Sequence, residues 1–138
     1  MRRVLAGIGV TAVAVLAGAG LRGVSAQDGA DKPAFYTEKV KPILETNCAK
    51  CHMGVAHRGG LNFETQAALM KGGRDGAVIV PGDPANSMFV KLIRHEGPAD
   101  DPKPMPPNSP KISDADIAVV EQWVKAGAVM PPDPPPAQ

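Results

Sequence analysis

The chain has 138 residues, of which 43% are hydrophobic, with 15 Gly, 15 Pro and a formal charge of +1. This length suffices for one small domain and excludes a large multidomain enzyme. There is no Lys/Arg stripe and no aromatic RNA-binding surface in the sequence, so nucleic acid is not an expected partner. With only three Phe, one Tyr and one Trp, the apolar core is thin, which predicts that a bound group completes the interior.

The N-terminus has the three parts of a secretory signal peptide: a basic start, the uncharged run Val4 to Leu21, and a small-residue cleavage pattern ending at Ala26. This predicts a Sec-type signal peptide over residues 1–26, export to the periplasm or beyond, and a mature chain that begins at Gln27. Residues 27–138 hold 12 basic and 14 acidic side chains, a net charge of −2. The apolar run is also close to the shortest membrane-spanning length, which leaves an uncleaved anchor as the alternative.

A kinked helix is predicted at the start of the mature domain. After a short polar lead over residues 27–33, apolar side chains recur mostly at helical spacing from Phe35 to Asn47. Pro42 interrupts this helix because proline supplies no backbone donor. A second short helix is predicted from Leu61 to Met70, ended by Gly72 and the glycine that follows it.

Short elements follow the second helix. Asp75 and Gly76 predict a turn, and the run Ala77 to Val80 is too brief to build a sheet. Asp83 and Pro84 offer an N-cap and a first-turn proline for a third helix that ends near His95 or Gly97. The apolar residues of this helix are Met88, Phe89, Leu92 and Ile93.

The C-terminal third combines a proline-rich segment with a last helix. Gly97 to Pro110 has six prolines in fourteen residues, which predicts a stiff, extended backbone. Ser113, three residues before Asp116, is a capping pattern for a helix closed by Gly127. The high proline content of residues 130–138 predicts a disordered Pro-rich tail. The whole pattern is that of one all-α domain over residues 34–129, with three to five short helices and long structured loops.

The chemistry lies in Cys48-Ala49-Lys50-Cys51-His52, a C-x-x-C-H motif in a chain predicted to be exported. This is the attachment signature of c-type haem. Two thiols three residues apart reach the two vinyl groups of one porphyrin, and the following histidine lies under the iron as its proximal ligand. The motif therefore predicts one covalent haem c, held by Cys48 and Cys51 and ligated by His52.

Cysteine and histidine residues at this spacing also occur in redox-active disulfides and in zinc sites. A redox-active C-x-x-C disulfide normally lies at the start of a helix after a strand, and no such βαβ pattern is present. A structural zinc site needs four ligands, and beyond Cys48, Cys51 and His52 the chain offers only His57 and His95. Both patterns fit the sequence less well than haem does.

The second axial ligand would decide what kind of haem protein this is. The candidates are Met53, Met70, Met88, Met105, Met130, His57 and His95. Met105 is favoured because it lies in Lys103-Pro104-Met105-Pro106-Pro107, where stiff backbone on both sides can hold a sulfur against iron. His95, or an open sixth position, remains the alternative.

These motifs together resemble the planctomycete-type c-type cytochrome domains, within the class I cytochrome c fold. The resemblance covers about Phe35 to Ala128 and rests on these pieces: Val40-Lys41-Pro42-Ile43-Leu44, Cys48 to His52, Gly59-Gly60-Leu61, Lys71-Gly72-Gly73, Ile79 to Pro84 with Ser87, Met105-Pro106-Pro107, and Trp123-Val124 before Gly127-Ala128. It implies a small class I fold around a covalent haem. It also implies that His52 and Met105 are the axial ligands, and that the first and last helices pack across one haem edge.

The function expected from these residues is electron transfer by an exported monohaem cytochrome, not catalysis. Its partners would be redox proteins in the periplasm or at the membrane, with membrane association only if the N-terminal segment is uncleaved. Lys50 and Lys103 either steer an acidic partner or simply solvate the surface. The alternative is a peroxidase-like haem enzyme or a gas sensor with a labile or open sixth position, in which Arg94 or His95 would serve as polar distal groups.

Overall fold

The computed structural model describes residues 29–98 and 102–135. Six α-helical segments follow one another in this part of the chain: Pro33–Phe35 (α1), Lys41–Asn47 (α2), Ala49–His52 (α3), Gln66–Lys71 (α4), Met88–Ile93 (α5) and Asp114–Lys125 (α6). These residues contain no β-strand, only one isolated bridge between Gly73 and Gly76, which confirms the all-α prediction. None of the helices in these two ranges is long and apolar enough to span a membrane. The predicted signal peptide lies outside the described residues.

The predicted kinked helix is present and begins slightly earlier than expected. Helix α1 runs into α2 through a π-helical turn over Tyr36–Val40, in which the Lys41 N–H bonds to the Tyr36 carbonyl. Pro42 follows directly as one of the first residues of α2. Proline has no N–H to donate to the preceding turn, so the α-helical hydrogen-bond pattern loses one bond at Pro42. The π-helical turn lies directly before this position.

Helix α4 is shorter than predicted because its cap lies at Thr65. The Thr65 hydroxyl accepts a hydrogen bond from the Ala68 N–H at 3.1 Å, and the helix ends at Gly72 with a φ of +79°. The predicted turn at Asp75-Gly76 is confirmed, since Gly73 and Gly76 exchange backbone hydrogen bonds of 3.0 and 3.1 Å. Gly72 lies against this turn, and a Cβ added to it would be 2.0 Å from the Gly76 carbonyl oxygen.

Substitution of Gly72 by alanine is therefore expected to destabilise the domain by at least about 2 kcal/mol, because backbone strain and a collision with main-chain atoms add together. Gly82→Ala is the matched control, because Gly82 has a similar φ of +85° and no atom within 4 Å of the added Cβ. Urea unfolding of both variants measures the difference. Equal losses in the two would show that the close approach at Gly72 is unimportant.

Helix α5 begins later than predicted, so the assignment of Asp83 as its N-cap is wrong. Ser87 occupies the N-cap position of α5. Asp83 instead closes a separate turn, in which its carboxylate accepts from the Asn86 N–H at 3.1 Å and its carbonyl accepts from the buried Ser87 hydroxyl at 2.8 Å. The Val80 N–H donates to the same hydroxyl at 2.9 Å. The Asp-Pro pattern starts a turn as readily as a helix, and these tertiary contacts select the turn.

The core lies where the first and last helices meet. The Ser113 cap is confirmed by a 3.0 Å bond from the Asp116 N–H. Trp123 of α6 is fully buried, with its ring centroid 5.5 Å from that of Tyr36. Around this pair are buried apolar side chains that include Val40, Leu44, Phe63, Leu69, Ile79, Phe89, Val120 and Val124. The expected packing of the two terminal helices against each other is thus present.

The packed part of the C-terminal segment extends beyond residue 129, the predicted end of the domain. Met130 is 5% exposed, and its N–H donates to the Gln66 side chain at 3.2 Å. The Asp133 carboxylate accepts from the N–H groups of Gln66 at 2.8 Å and Ala67 at 3.2 Å. These bonds satisfy free donors in the first turn of α4, so the packed part of the predicted tail reaches Asp133.

Candidate haem site

The C-x-x-C-H motif forms one tight helical turn at the end of the first helix. Cys48 is the C-cap residue that directly follows α2. Its carbonyl accepts hydrogen bonds from the N–H groups of Cys51 at 3.1 Å and His52 at 3.0 Å. Residues three apart in such a turn share one side of the helix. Both cysteines are free thiols of intermediate burial, and Cys48 packs against the core. The turn thus brings two thiols and an imidazole into one short segment, which is the donor set that covalent haem requires.

The Cys48 thiol is held in its neutral form. Burial raises the pKa of Cys48 to about 11, and the neighbouring Cys51 acts in the same direction. Since the thiolate is the reactive species in disulfide exchange, the folded site disfavours exchange chemistry at neutral pH. The environment of Cys48 therefore differs from that of a redox-active C-x-x-C pair, whose thiol pKa is typically lowered.

His52 is oriented by the chain that follows the motif. Its Nδ1 lies 3.3 Å from the Leu61 carbonyl oxygen, an arrangement in which Nδ1 carries the proton and Nε2 keeps a lone pair for a metal. Burial lowers the pKa of His52 below its ordinary value, outweighing the opposing effect of the hydrogen bonds. The imidazole is therefore favoured in the neutral form that ligates iron.

Met105 is attached to α5 through its backbone. Its N–H donates to the Leu92 carbonyl at 3.0 Å, and its partly buried side chain packs against the core. Pro104 and Pro106 flank it, the latter through a cis peptide bond. The hydrogen bond joins the segment that carries Met105 to α5; the role of Met105 as a ligand stays a prediction.

The other candidate ligands are placed at several points of the fold. Met130 is a buried core residue, and Met53 and Met70 pack against the core, while Met88 is half-buried in the first turn of α5. His57 is exposed, with its Nε2 3.7 Å from a Glu64 carboxylate oxygen.

The polar residues considered for a distal role lie at the end of α5. His95 is exposed and lines a cavity of about 400 Å³ together with Lys103, Pro104 and Pro106 to Ser109. Arg94 is held by the carboxylates of Glu121 and Glu96. Those ion pairs give Arg94 a surface role that links α5 to α6.

Zinc is the other metal considered for these residue types. Across residues 29–98 and 102–135, no group of three or more His, Cys, Asp or Glu side chains is arranged to hold a metal ion.

Three contacts of the site could not be predicted from the sequence. They are the Leu61 carbonyl at His52, the Phe63 ring 5.2 Å from the His52 ring, and the Leu92 carbonyl at Met105. Two of them are backbone acceptors, which every residue carries, so no residue pattern marks them. The resemblance includes Leu61 as part of a motif without assigning a role to its carbonyl.

The comparison with protein families agrees with this site. The family model described as Planctomycete cytochrome C matches residues 48–109, a span that starts at the first cysteine of the motif and includes His52 and Met105. No curated protein and no solved structure matches the chain. A cytochrome c family match implies haem c as the cofactor and points to electron transfer. Across residues 48–109 this protein is therefore similar to the planctomycete-type cytochromes c, which confirms the resemblance that its motifs carry.

Proposed function

We propose that this protein is an exported monohaem cytochrome with a class I-like fold, and that it carries electrons with His52 and Met105 as axial ligands. The observation that supports this most directly is the orientation of His52. The Leu61 carbonyl lies at Nδ1, 3.3 Å away, which leaves Nε2 as the ligating atom of a histidine that directly follows two thiols one helical turn apart.

Bound haem c supplies a reversible one-electron couple at iron. The residues of this chain have separate tasks around it: Cys48 and Cys51 retain the group through thioether bonds, and His52 provides the nitrogen ligand. The Met105 thioether would be the second axial ligand, which would leave no open position for a substrate and would raise the reduction potential. Phe63, which packs on the His52 ring, would help to exclude water from the group.

The test is the visible spectrum of the exported protein, oxidised and reduced, in the wild type and in Met105→Ala. The oxidised wild type is expected to show the weak far-red charge-transfer band of methionine-ligated ferric haem. Met105→Ala is expected to lose that band and to bind carbon monoxide when reduced, because it lacks the sulfur ligand. Met88→Ala, which removes another half-buried methionine, is the matched control and is expected to keep the band.

A wild-type protein that is high-spin and binds carbon monoxide readily would overturn the electron-carrier proposal. Such a spectrum would favour the peroxidase-like enzyme or gas sensor, in which the sixth position is open. Loss of the band in Met88→Ala but not in Met105→Ala would reassign the sulfur ligand.

We further propose that the mature protein starts at Gln27 in the periplasm and exchanges electrons with redox proteins there or at the membrane. The intact mass of the purified protein tests whether the chain starts at Gln27. A mass that includes residues 1–26 would indicate an anchored form instead. Lys50 lies in the motif and Lys103 beside Met105, and both are exposed. Their placement supports an acidic partner that docks near the ligand segments.

Lys50→Glu is therefore expected to slow electron exchange with an acidic redox protein several-fold at low salt and to have little effect at high salt, because salt screens surface charges. Stopped-flow kinetics at two ionic strengths measure this. Lys125→Glu, an equal charge reversal at the exposed end of α6, is the control. Equal slowing by Lys50→Glu at both ionic strengths would refute electrostatic steering.

A further inference from the structure

The His52 ring packs against one aromatic side chain that comes from outside the motif. The ring centroid of Phe63 lies 5.2 Å from that of His52, with an interplanar angle of 37°. The two residues are also joined through the backbone, where the Phe63 N–H donates to the His52 carbonyl at 3.0 Å. The segment from Leu61 to Phe63 thus contacts His52 at its main chain, at Nδ1 and at its ring.

The hydrogen bond at Nδ1 alone leaves the ring orientation loosely defined. At 3.3 Å it is longer than the usual N–H···O distance of about 2.9 Å. The Arg58 backbone also hydrogen-bonds to His52, but hydrogen bonds at the edge of the ring supply no packing against its face. The terminal torsion of histidine is intrinsically broad. A bulky neighbour on the ring face restricts rotation about that torsion through packing.

Phe63 is itself held in place by a rigid neighbour. It is 2% exposed, and its ring lies edge-on to Phe89 with centroids 5.5 Å apart. Phe89 belongs to α5, and its N–H donates to the Val78 carbonyl at 2.9 Å. Leu92 of the same helix accepts the Met105 N–H, so α5 contacts both the ring that packs on His52 and the segment that carries Met105.

We propose that Phe63, supported by Phe89 of α5, is a positioning residue that sets the plane of the His52 ring. The inference rests on the proposed function in that His52 is taken as an iron ligand. In ferric haem the orientation of an axial imidazole determines how unpaired spin is distributed among the pyrroles. Movement of the ring therefore changes the pattern of haem-methyl NMR shifts even when both ligands stay bound.

The test compares haem-methyl shifts in the full-length, haem-loaded oxidised protein and its variants. Phe63→Leu is expected to reorder or compress the methyl shifts while the far-red methionine band persists. Phe89→Leu, one contact further away, is expected to give a smaller change of the same kind. Phe63→Tyr restores a ring at the same place and is expected to return the pattern toward that of the wild type.

Two controls separate positioning from general loss of stability. Phe35→Leu makes the same chemical change at an aromatic residue that packs against the core elsewhere. Leu69→Ala removes a buried side chain of α4 that is 1% exposed. Both are expected to lower the unfolding midpoint and leave the methyl pattern unchanged, whereas Phe63→Leu changes both.

Two outcomes would overturn the inference while the proposed function stands. One is a wild-type methyl pattern in Phe63→Leu, and the other is an equal change in Leu69→Ala. A wild-type protein without the methionine band would instead contradict the proposed ligand set. The far-red spectrum of the wild type is therefore measured before any variant is compared. If Phe63→Leu fails to fold, Phe89→Leu and Phe63→Tyr test the positioning role instead. A wild-type methyl pattern in Phe89→Leu would contradict that role, and so would a fully altered methyl pattern in Phe63→Tyr.

Discussion

Replacement of both Cys48 and Cys51 by alanine is expected to abolish haem retention under denaturing conditions. The two thiols are free and lie one helical turn apart, and the proposed thioethers are the only covalent links that the motif could provide. A haem-stained denaturing gel and intact mass spectrometry measure the loss. Each single variant is expected to keep the group through one bond.

The single variants provide the control for this prediction. In Cys48→Ala or Cys51→Ala one vinyl group stays unsaturated, so the reduced spectrum is expected to shift to longer wavelength while the haem-bound mass persists. Haem that resists denaturation in the double variant would show attachment through another residue. Such a result would contradict the assignment of the motif.

Substitution of Trp123 by alanine is expected to cost about 3 to 5 kcal/mol, the range for deletion of a large buried aromatic side chain. Trp123 is fully buried, lies against the Tyr36 ring and donates its indole N–H to the Val129 carbonyl at 2.8 Å. Since small domains are stable by only about 5 to 15 kcal/mol, the loss would remove a large part of the stability of the domain. Urea unfolding followed by circular dichroism measures it.

Trp123→Phe is the matched control, because it keeps a ring against Tyr36 and removes the hydrogen bond. It is expected to lose less stability than the alanine variant, because a smaller cavity is left. Both variants leave the Val129 carbonyl without the indole donor, at a cost of about 1 to 3 kcal/mol. Equal losses in the two variants would mean that the hydrogen bond to Val129, and not the ring packing against Tyr36, accounts for the contribution of Trp123 to stability.

Local patterns account for the elements that were predicted accurately. Helix α6 begins and ends near its predicted limits because Ser113 caps a neighbour three residues away and Gly127 reverses the backbone with a φ of +106°. The helical turn at Cys48 to His52 likewise depends on bonds within the motif. Interactions of this range are encoded by residue type at fixed spacing, so they can be found in a single sequence.

Contacts that no short residue pattern marks account for the differences. Helix α5 starts at Met88 because the buried Ser87 hydroxyl bonds to Val80 and Asp83 in the preceding turn. The last residues pack because the Asp133 carboxylate reaches the first turn of α4, 66 and 67 positions earlier in the chain. Composition predicts disorder for such a proline-rich segment, and a single well-placed carboxylate changes that outcome for its first residues.

The sequence alone determined which residues point to haem chemistry: two thiols and a histidine at attachment spacing and a methionine between prolines, together with the cap of the last helix. Only the tertiary structure decided how the proposed ligands are held, through the Leu61 carbonyl at His52, the Phe63 and Phe89 rings behind it, and the Leu92 carbonyl at Met105. The reason is physical. Attachment chemistry depends on which side chains stand at short, fixed spacing, whereas orientation depends on carbonyl groups and packed rings that only folding brings together.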